Sequence, residues 1–253
     1  MKSSIEIINE LNSEGISIIE NFYSKEFCNA SINEINDAIK TRQESVVSKL
    51  DEGTAGDERL FKIEKVSSSA LKFKNNDVLN NIFKVLTNNN IKSCFILGGK
   101  VEFRKNQINN SGGGWHRDSD SEQYKSIVYL NDVDENNGPF LFIRESNKFD
   151  LKRRIIKNKK SILENLYYFI RKANKYPPRY SDEIVNEFLI KNKLKPIEVK
   201  AKAGTVILFN STFLHRGKNL AKGGRFTFTN YMFKNRITTQ YLMNKQFKHF
   251  FIK

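Results

Sequence analysis

Gly112-Gly113-Gly114-Trp115-His116-Arg117-Asp118-Ser119-Asp120 is the stretch on which the reading of this chain turns. A histidine and an aspartate at i and i+2, just past a glycine-rich loop, point to the same side of an extended strand. They supply two corners of a metal site. The chain has only three histidines, His116, His215 and His249, so candidates for the third corner are few. His215 ends the apolar, β-branched run Gly204-Thr205-Val206-Ile207-Leu208-Phe209-Asn210-Ser211-Thr212-Phe213-Leu214-His215 and is followed by a turn at Arg216-Gly217. A His-x-Asp alone is a common coincidence. Joined to a second histidine on β-structure it becomes the two-histidine, one-carboxylate triad that holds non-haem Fe(II) and leaves coordination positions open. Downstream, Arg225 opens the alternating stretch Arg225-Phe226-Thr227-Phe228-Thr229-Asn230-Tyr231-Met232-Phe233. A guanidinium pairs bidentately with a carboxylate, so an arginine beside such a site suits the far end of a chelating keto-diacid.

These motifs resemble the phytanoyl-CoA dioxygenase-like branch of the Fe(II)- and 2-oxoglutarate-dependent oxygenases. The likeness covers most of the chain. It includes Gly15-Ile16-Ser17-Ile18-Ile19-Glu20-Asn21-Phe22-Tyr23-Ser24 near the start and Trp115-His116-Arg117-Asp118 in the middle. Tyr129-Leu130-Asn131-Asp132-Val133-Asp134-Glu135-Asn136-Asn137-Gly138-Pro139-Phe140 follows, and His215, Asn219 and Arg225 close it. The resemblance implies a double-stranded β-helix, iron held by His116, Asp118 and His215, 2-oxoglutarate anchored by Arg225, and dioxygen as co-substrate. It implies oxidation of a C–H bond with loss of carbon dioxide from the co-substrate. Hydroxylation is the expected outcome. A halogenating relative would need a small residue where Asp118 stands, whereas desaturation, cyclisation and epimerisation stay open. One departure is visible: where the family has a Pro-Gly-Ser-His turn, this chain has Arg144-Glu145-Ser146-Asn147 and keeps only the serine.

At 253 residues and 29.4 kDa the chain can bury a sizeable core as one domain, residues 1–253. Its 39% hydrophobic and 12% aromatic content fits a globular protein. No apolar run approaches the roughly 20 residues that span a bilayer, and Met1-Lys2-Ser3-Ser4-Ile5-Glu6 lacks the apolar core of a signal peptide. Cys28 and Cys94 stand far apart without metal spacing, as expected in a reducing compartment. A cytoplasmic protein without a membrane span is the expectation. The formal charge of +15 has three readings: solvated lysine-rich faces, a nucleic-acid or membrane partner, or a field that draws in an anionic substrate.

Taken in order, residues 1–14 read as a helix with Ile5, Ile8 and Leu11 as its stripe, and Gly15 to Phe22 as a strand. A helix capped by Ser24 then runs to about Ile39 on Phe27, Ile32, Ile35 and Ile39. Thr41 to Asp57 reads as a polar loop, 58–66 as a strand, and Asn76 to Leu86 as a helix burying Val78, Leu79, Ile82, Phe83 and Leu86. Cys94–Leu97 and Lys100–Arg104 read as two strands around Gly98-Gly99. In the strand Lys125–Asn131, the residues Lys125, Ile127, Tyr129 and Asn131 share a face. Lys125 therefore either meets 2-oxoglutarate inside the barrel or faces solvent, and Trp115 either walls the pocket or belongs to the core. Residues 149–200 read as a basic helical insertion between the halves of the metal motif, with helices at 161–173 and 181–191. Its Arg153, Arg154, Lys157, Lys159, Lys160, Arg171 and Lys172 form either a cationic rim or a solvated face. The tail after Phe233, with His249, reads as a closing helix or a contact between copies.

The overall expectation is a mainly β fold with flanking helices and a jelly-roll core. The activity expected is oxygenation of a small or carrier-linked anionic metabolite; the oligomeric state is open. Two other classes compete. A nucleic-acid oxygenase of the same metal class would explain the charge, but position 231 is tyrosine where related dealkylases carry a second arginine, so nucleic acid is not the expected partner. A ligand-binding member of the fold without activity would have no need of an intact ligand set.

Overall fold

The computed structural model describes residues 2–41, 46–47, 56–105, 114–118, 122–148 and 179–234. Helix α1 (Ser4–Glu14) starts at a capping box in which the Ser3 side chain accepts from the Glu6 amide while Glu6 accepts from the Ser3 amide. It stops at Gly15, whose φ of 78° is left-handed and ordinary only for glycine. Strand β1 (Ile16–Ile19) leads to α2 (Lys25–Thr41), then β2 (Val46–Val47) and β3 (Gly56–Phe61). Next come α3 (Ser68–Lys74) and α4 (Asp77–Leu86), N-capped by Ser67 and Asn76, and β4 (Ile91–Glu102). Strands β5 (Trp115–His116), β6 (Tyr124–Tyr129), β7 (Phe140–Phe142) and β8 (Arg179–Tyr180) precede α5 (Asp182–Asn192). Strands β9 (Ile197–Val199), β10 (Val206–Asn210), β11 (His215–Gly217) and β12 (Gly224–Lys234) complete the order.

The strands form two antiparallel sheets, a large one in the order β1-β10-β6-β12-β4-β3-β2 and a small one in the order β8-β5-β11-β7-β9. Together they are the double-stranded β-helix that the sequence led us to expect. Register assigns the faces, because directly opposed residues share a side of the sheet. In the large sheet Phe209 opposes Lys125, which opposes Tyr231, and Ile127 opposes Thr229. Tyr129 opposes Thr227 on the same side. This inner face meets Phe140, Phe142 and Val199 of the small sheet in an apolar layer with Ile207 and Phe213. The outer face of the large sheet, including Val128, Leu208 and Phe228, packs under α1 to α4 through Ile7, Leu11, Ile35, Phe73, Leu79 and Phe83. Each such fully buried side chain contributes about 1.5–3 kcal/mol, so this layer is the mechanical base of the sheet. Behind the small sheet, α5 lays Val185 and Phe188 on Trp115, Leu141, Tyr180 and Leu214.

Several expectations change. Cys94–Leu97 and Lys100–Arg104 belong to one strand, β4, since Gly98-Gly99 does not break it. A Cβ at Gly98 would lie 2.8 Å from Ile63 Cδ1, and one at Gly99 would lie 2.9 Å from Thr227 Oγ1. The glycines admit neighbours. Ile5 and Val78, expected in the core, are exposed, and Ile7 takes the inward place on α1. The stretch 58–66 divides into β3 and a 3-10 turn at Ile63–Lys65, and α3 was not anticipated at all. Residues 149–178, with the expected helix at 161–173 and the seven basic side chains, lie outside the described residues, as do the tail and His249. No described helix is long and apolar enough to cross a membrane.

Candidate metal centre

His116 and His215 are direct partners across the β5–β11 ladder, so backbone pairing sets their separation; their ring centroids are 4.5 Å apart. The chain turns after Arg117, and the Asp118 amide donates to the Ser211 carbonyl at 3.0 Å, which brings the carboxylate back to the histidines. Asp118 Oδ1 is 3.9 Å from His116 Nε2 and Oδ2 is 3.2 Å from His215 Nε2. One ligand atom from each of the three lies within 4.8 Å of the others. Both imidazoles are oriented by the backbone: His116 Nδ1 donates to the Gly114 carbonyl at 3.1 Å, and His215 Nδ1 to the Phe213 carbonyl at 2.9 Å. A carbonyl can only accept, so Nδ1 carries a proton in each ring and Nε2 is the nitrogen that faces inward, as metal ligation requires. Burial, helped by neighbouring His215 and Arg179, pulls His116 down to about 3 against the favourable pull of Asp118, so this ring is neutral. Two imidazoles and one carboxylate on β-structure are a donor set suited to Fe(II).

Lys125, left open between solvent and site by the sequence, is buried in the site at 4% exposure. Its Nζ is 2.8 Å from Asp118 Oδ2 and 4.0 Å from the centre of the Tyr231 ring. Burial opposes its charge, but Asp118 and Tyr231 outweigh it and raise the ammonium above its ordinary value. Burial likewise pushes Asp118 up; Lys125 and the histidines prevail and hold it well below the usual carboxylate range. Tyr231 thus stands where the related dealkylases carry a second arginine, and it covers the lysine.

Arg225 lies on the same inner face, opposite Val101 of β4. Its backbone is fixed from both sides by one side chain. Asn131 Nδ2 donates to the Gly224 carbonyl at 3.0 Å, and Asn131 Oδ1 accepts from the Phe226 amide at 2.7 Å. Asn137, from the Asn-Gly-Pro segment, adds a bond to the same Gly224 carbonyl at 3.3 Å. The Arg225 Nε is shut off from solvent with no hydrogen-bond partner among the described residues. Burial pulls this guanidinium below its ordinary value, Tyr129 and Asp57 counter it, and Arg59 adds to it. Asp57 and Arg59, paired at 2.9 Å on β3, are neighbours that sequence reasoning missed, because only sheet order brings β3 alongside β4.

Trp115 faces away from the histidines, into the layer under α5, with the Arg216 guanidinium 4.7 Å from its ring centre. It is core. The hydrophobic wall beside His215 comes instead from Phe209 and Phe140, at ring distances of 5.1 and 5.7 Å. Ser146, the retained residue of the departed turn, is also structural. Its hydroxyl donates to the Ile143 carbonyl and accepts from the Leu214 amide, both at 2.7 Å, and its carbonyl accepts from Arg117. It ties the neighbour of His215 to the residue between His116 and Asp118.

The family model described as phytanoyl-CoA dioxygenase (PhyH) matches residues 11–226. Comparison with curated proteins finds no match. Among solved structures, the chain is similar to the epimerase SnoN in complex with Fe3+, alpha ketoglutarate and nogalamycin RO, at 9% identity and a TM-score of 0.67, covering 91% of this chain and 83% of that one. HygX from Streptomyces hygroscopicus, with nickel and 2-oxoglutarate bound, aligns at 13% identity, TM-score 0.60, over 91% and 87%. EctD from S. alaskensis, with 2-oxoglutarate and 5-hydroxyectoine, aligns at 15% identity, TM-score 0.65, over 91% and 76%. At these identities the likeness establishes a shared fold.

Proposed function

The chain belongs to the phytanoyl-CoA dioxygenase family, and from that premise we propose that it is an Fe(II)- and 2-oxoglutarate-dependent oxygenase. In this reading His116, Asp118 and His215 hold the iron, Arg225 pairs with the distal carboxylate of 2-oxoglutarate, and a C–H bond of a small or carrier-linked anionic metabolite is hydroxylated. One observation carries it: three inward-facing donor atoms and a guanidinium nitrogen with no described partner occur on facing inner surfaces of one barrel. A buried, unpaired arginine nitrogen is costly to keep. A carboxylate arriving as a ligand removes that cost. When bound, iron and 2-oxoglutarate supply activation of dioxygen coupled to oxidative decarboxylation of the co-substrate.

The chain's own residues do the rest. The Gly114 and Phe213 carbonyls hold both Nε2 atoms ready to ligate, so no tautomer change precedes metal uptake. Lys125 keeps Asp118 ionised and leaves it one oxygen for the metal, while its remaining N–H groups can meet the co-substrate. Asn131 holds the Arg225 backbone, and Phe140 and Phe209 wall the apolar side of His215. The anionic substrate class rests on the +15 charge. Asp118 completes the ligand set, which favours hydroxylation over halogenation.

The test is anaerobic titration with Fe(II) and then 2-oxoglutarate, following the visible charge-transfer band of the chelate in wild type, His215→Ala and Arg225→Ala. The band should form in wild type, vanish without His215, and need far more 2-oxoglutarate without Arg225. Absence of a band at saturating iron overturns the assignment. A band without any succinate on admission of oxygen would instead identify a binding protein.

A further inference from the structure

Three charged side chains stand together on the inner face of the large sheet, and their charges do not balance. Val101 of β4 is opposed on one side by Arg225 of β12 and on the other by Asp57 of β3. Directly opposed residues share a side of the sheet, so Asp57 and Arg225 flank Val101 on one face, two strand spacings or roughly 10 Å apart at Cα. In the neighbouring row Arg59 opposes Gly99, which opposes Thr227. Asp57 is 2% exposed; Arg59 Nε donates to its Oδ2 at 3.0 Å, and Arg59 Nη2 lies 2.9 Å from the same oxygen. The other oxygen, Oδ1, is shut off from solvent with no hydrogen-bond partner among the described residues, the same condition as Arg225 Nε. A buried acceptor and a buried donor are thus both unpaired on either side of one valine. Against the pull of burial, Tyr129 and then Asp57 support the charge on Arg225.

Two guanidiniums therefore share one carboxylate, and a second carboxylate arriving as a ligand restores neutrality. We propose that Asp57 is a positioning residue that competes with the co-substrate for Arg225: it steadies the guanidinium in the empty pocket, and Arg59 limits how strongly it does so. The inference rests on the co-substrate reading of Arg225 given above and adds to it what tunes the affinity. With Oδ2 committed to Arg59, Asp57 has only Oδ1 left for Arg225, and the guanidinium stays available to a dicarboxylate. Without Arg59 the whole carboxylate turns to Arg225 and opposes the co-substrate. Without the charge on Asp57, both guanidiniums attract it. The two members of one ion pair thus act on co-substrate affinity with opposite signs. A merely structural pair acts with one sign, since losing either member disturbs the same strand.

The experiment is anaerobic titration of the Fe(II)-loaded full chain, following the charge-transfer band, with 2-oxoglutarate and with 2-oxopentanoate, which has the same carbon chain and no distal carboxylate. Asp57→Asn, of the same size, should bind 2-oxoglutarate about tenfold more tightly, the effect of one unit charge across roughly 10 Å at an effective dielectric of about 20. Arg59→Gln should bind it about tenfold more weakly. Both should bind 2-oxopentanoate as wild type does, because the contest concerns the distal carboxylate alone. Either variant by itself decides a sign. Weaker or unchanged binding in Asp57→Asn, tighter or unchanged binding in Arg59→Gln, or an equal shift with 2-oxopentanoate would each overturn the proposal and leave the oxygenase reading standing. A wild type that forms no band with 2-oxoglutarate would overturn both.

Discussion

The Lys125 ammonium and the Asp118 carboxylate form an ion pair at 2.8 Å in the interior, with side-chain exposures of 6% and 17%. Removing one partner of such a pair strands the other without compensation. Asp118→Ala should therefore destabilise the metal-free protein by about 3–5 kcal/mol, and Asp118→Ala/Lys125→Met should recover much of that loss. Thermal unfolding of these two variants and of Lys125→Met alone reads this directly. Additive losses would mean that the two charges are not coupled.

Arg225 presents the opposite balance. With its Nε unpartnered, Arg225→Met should leave the metal-free protein as stable as wild type or raise its melting temperature. The same variant should weaken 2-oxoglutarate binding by about 10- to 100-fold, the worth of a charged hydrogen-bonded contact. A variant that loses stability and keeps co-substrate affinity would assign Arg225 to structure alone.

His116 should make the metal-free protein acid-sensitive. Its ring titrates near 6.5 in the unfolded chain and is pulled down to about 3 in the fold. Between those values the unfolded chain binds a proton that the folded chain does not, so stability is full above about pH 6.5 and declines as pH falls towards 3. The slope is at most about 1.4 kcal/mol per pH unit. Asp118, held low in the fold, adds loss in the same direction below about pH 4. Urea midpoints at pH 7.5 and pH 5 should lie closer together in His116→Gln than in wild type.

Ser146→Ala should act on the metal centre without touching it. The variant leaves the buried Leu214 amide without its acceptor, at a cost of about 1–3 kcal/mol. Because Leu214 precedes His215, affinity for Co(II), read from its visible absorption, should fall along with stability. Full metal affinity in a destabilised protein would confine Ser146 to folding.

The cluster of His116, Asp118 and His215 was legible because i, i+2 spacing and a scarcity of histidines leave few combinations, and the shared face of Lys125, Ile127 and Tyr129 followed from strand alternation. What escaped was set by tertiary neighbours. Gly98-Gly99 looks like punctuation, yet the glycines stand within β4 because Ile63 and Thr227 need the space. Ile5 and Val78 fit a helical stripe but face outward, since a helix of eleven or ten residues can be rotated about its axis by what it packs on. Lys125 could not be placed from the sequence, because whether a lysine points to water or to a carboxylate depends on Asp118 returning across the barrel. Asn131 was seen as part of a motif, but its grip on both sides of Arg225 depends on how β12 lies beside β6.

His116 and His215 are opposed by backbone register, so the candidate metal centre also tests whether the chain has paired correctly. A slip of one residue between β5 and β11 would set Leu214 or Arg216 against His116 and turn His215 to the helix-covered side. Misregistered molecules would retain much of their apolar burial but have no site. Metal uptake during refolding should therefore discriminate correctly threaded barrels from near-misses that a spectroscopic count of strand content would score alike.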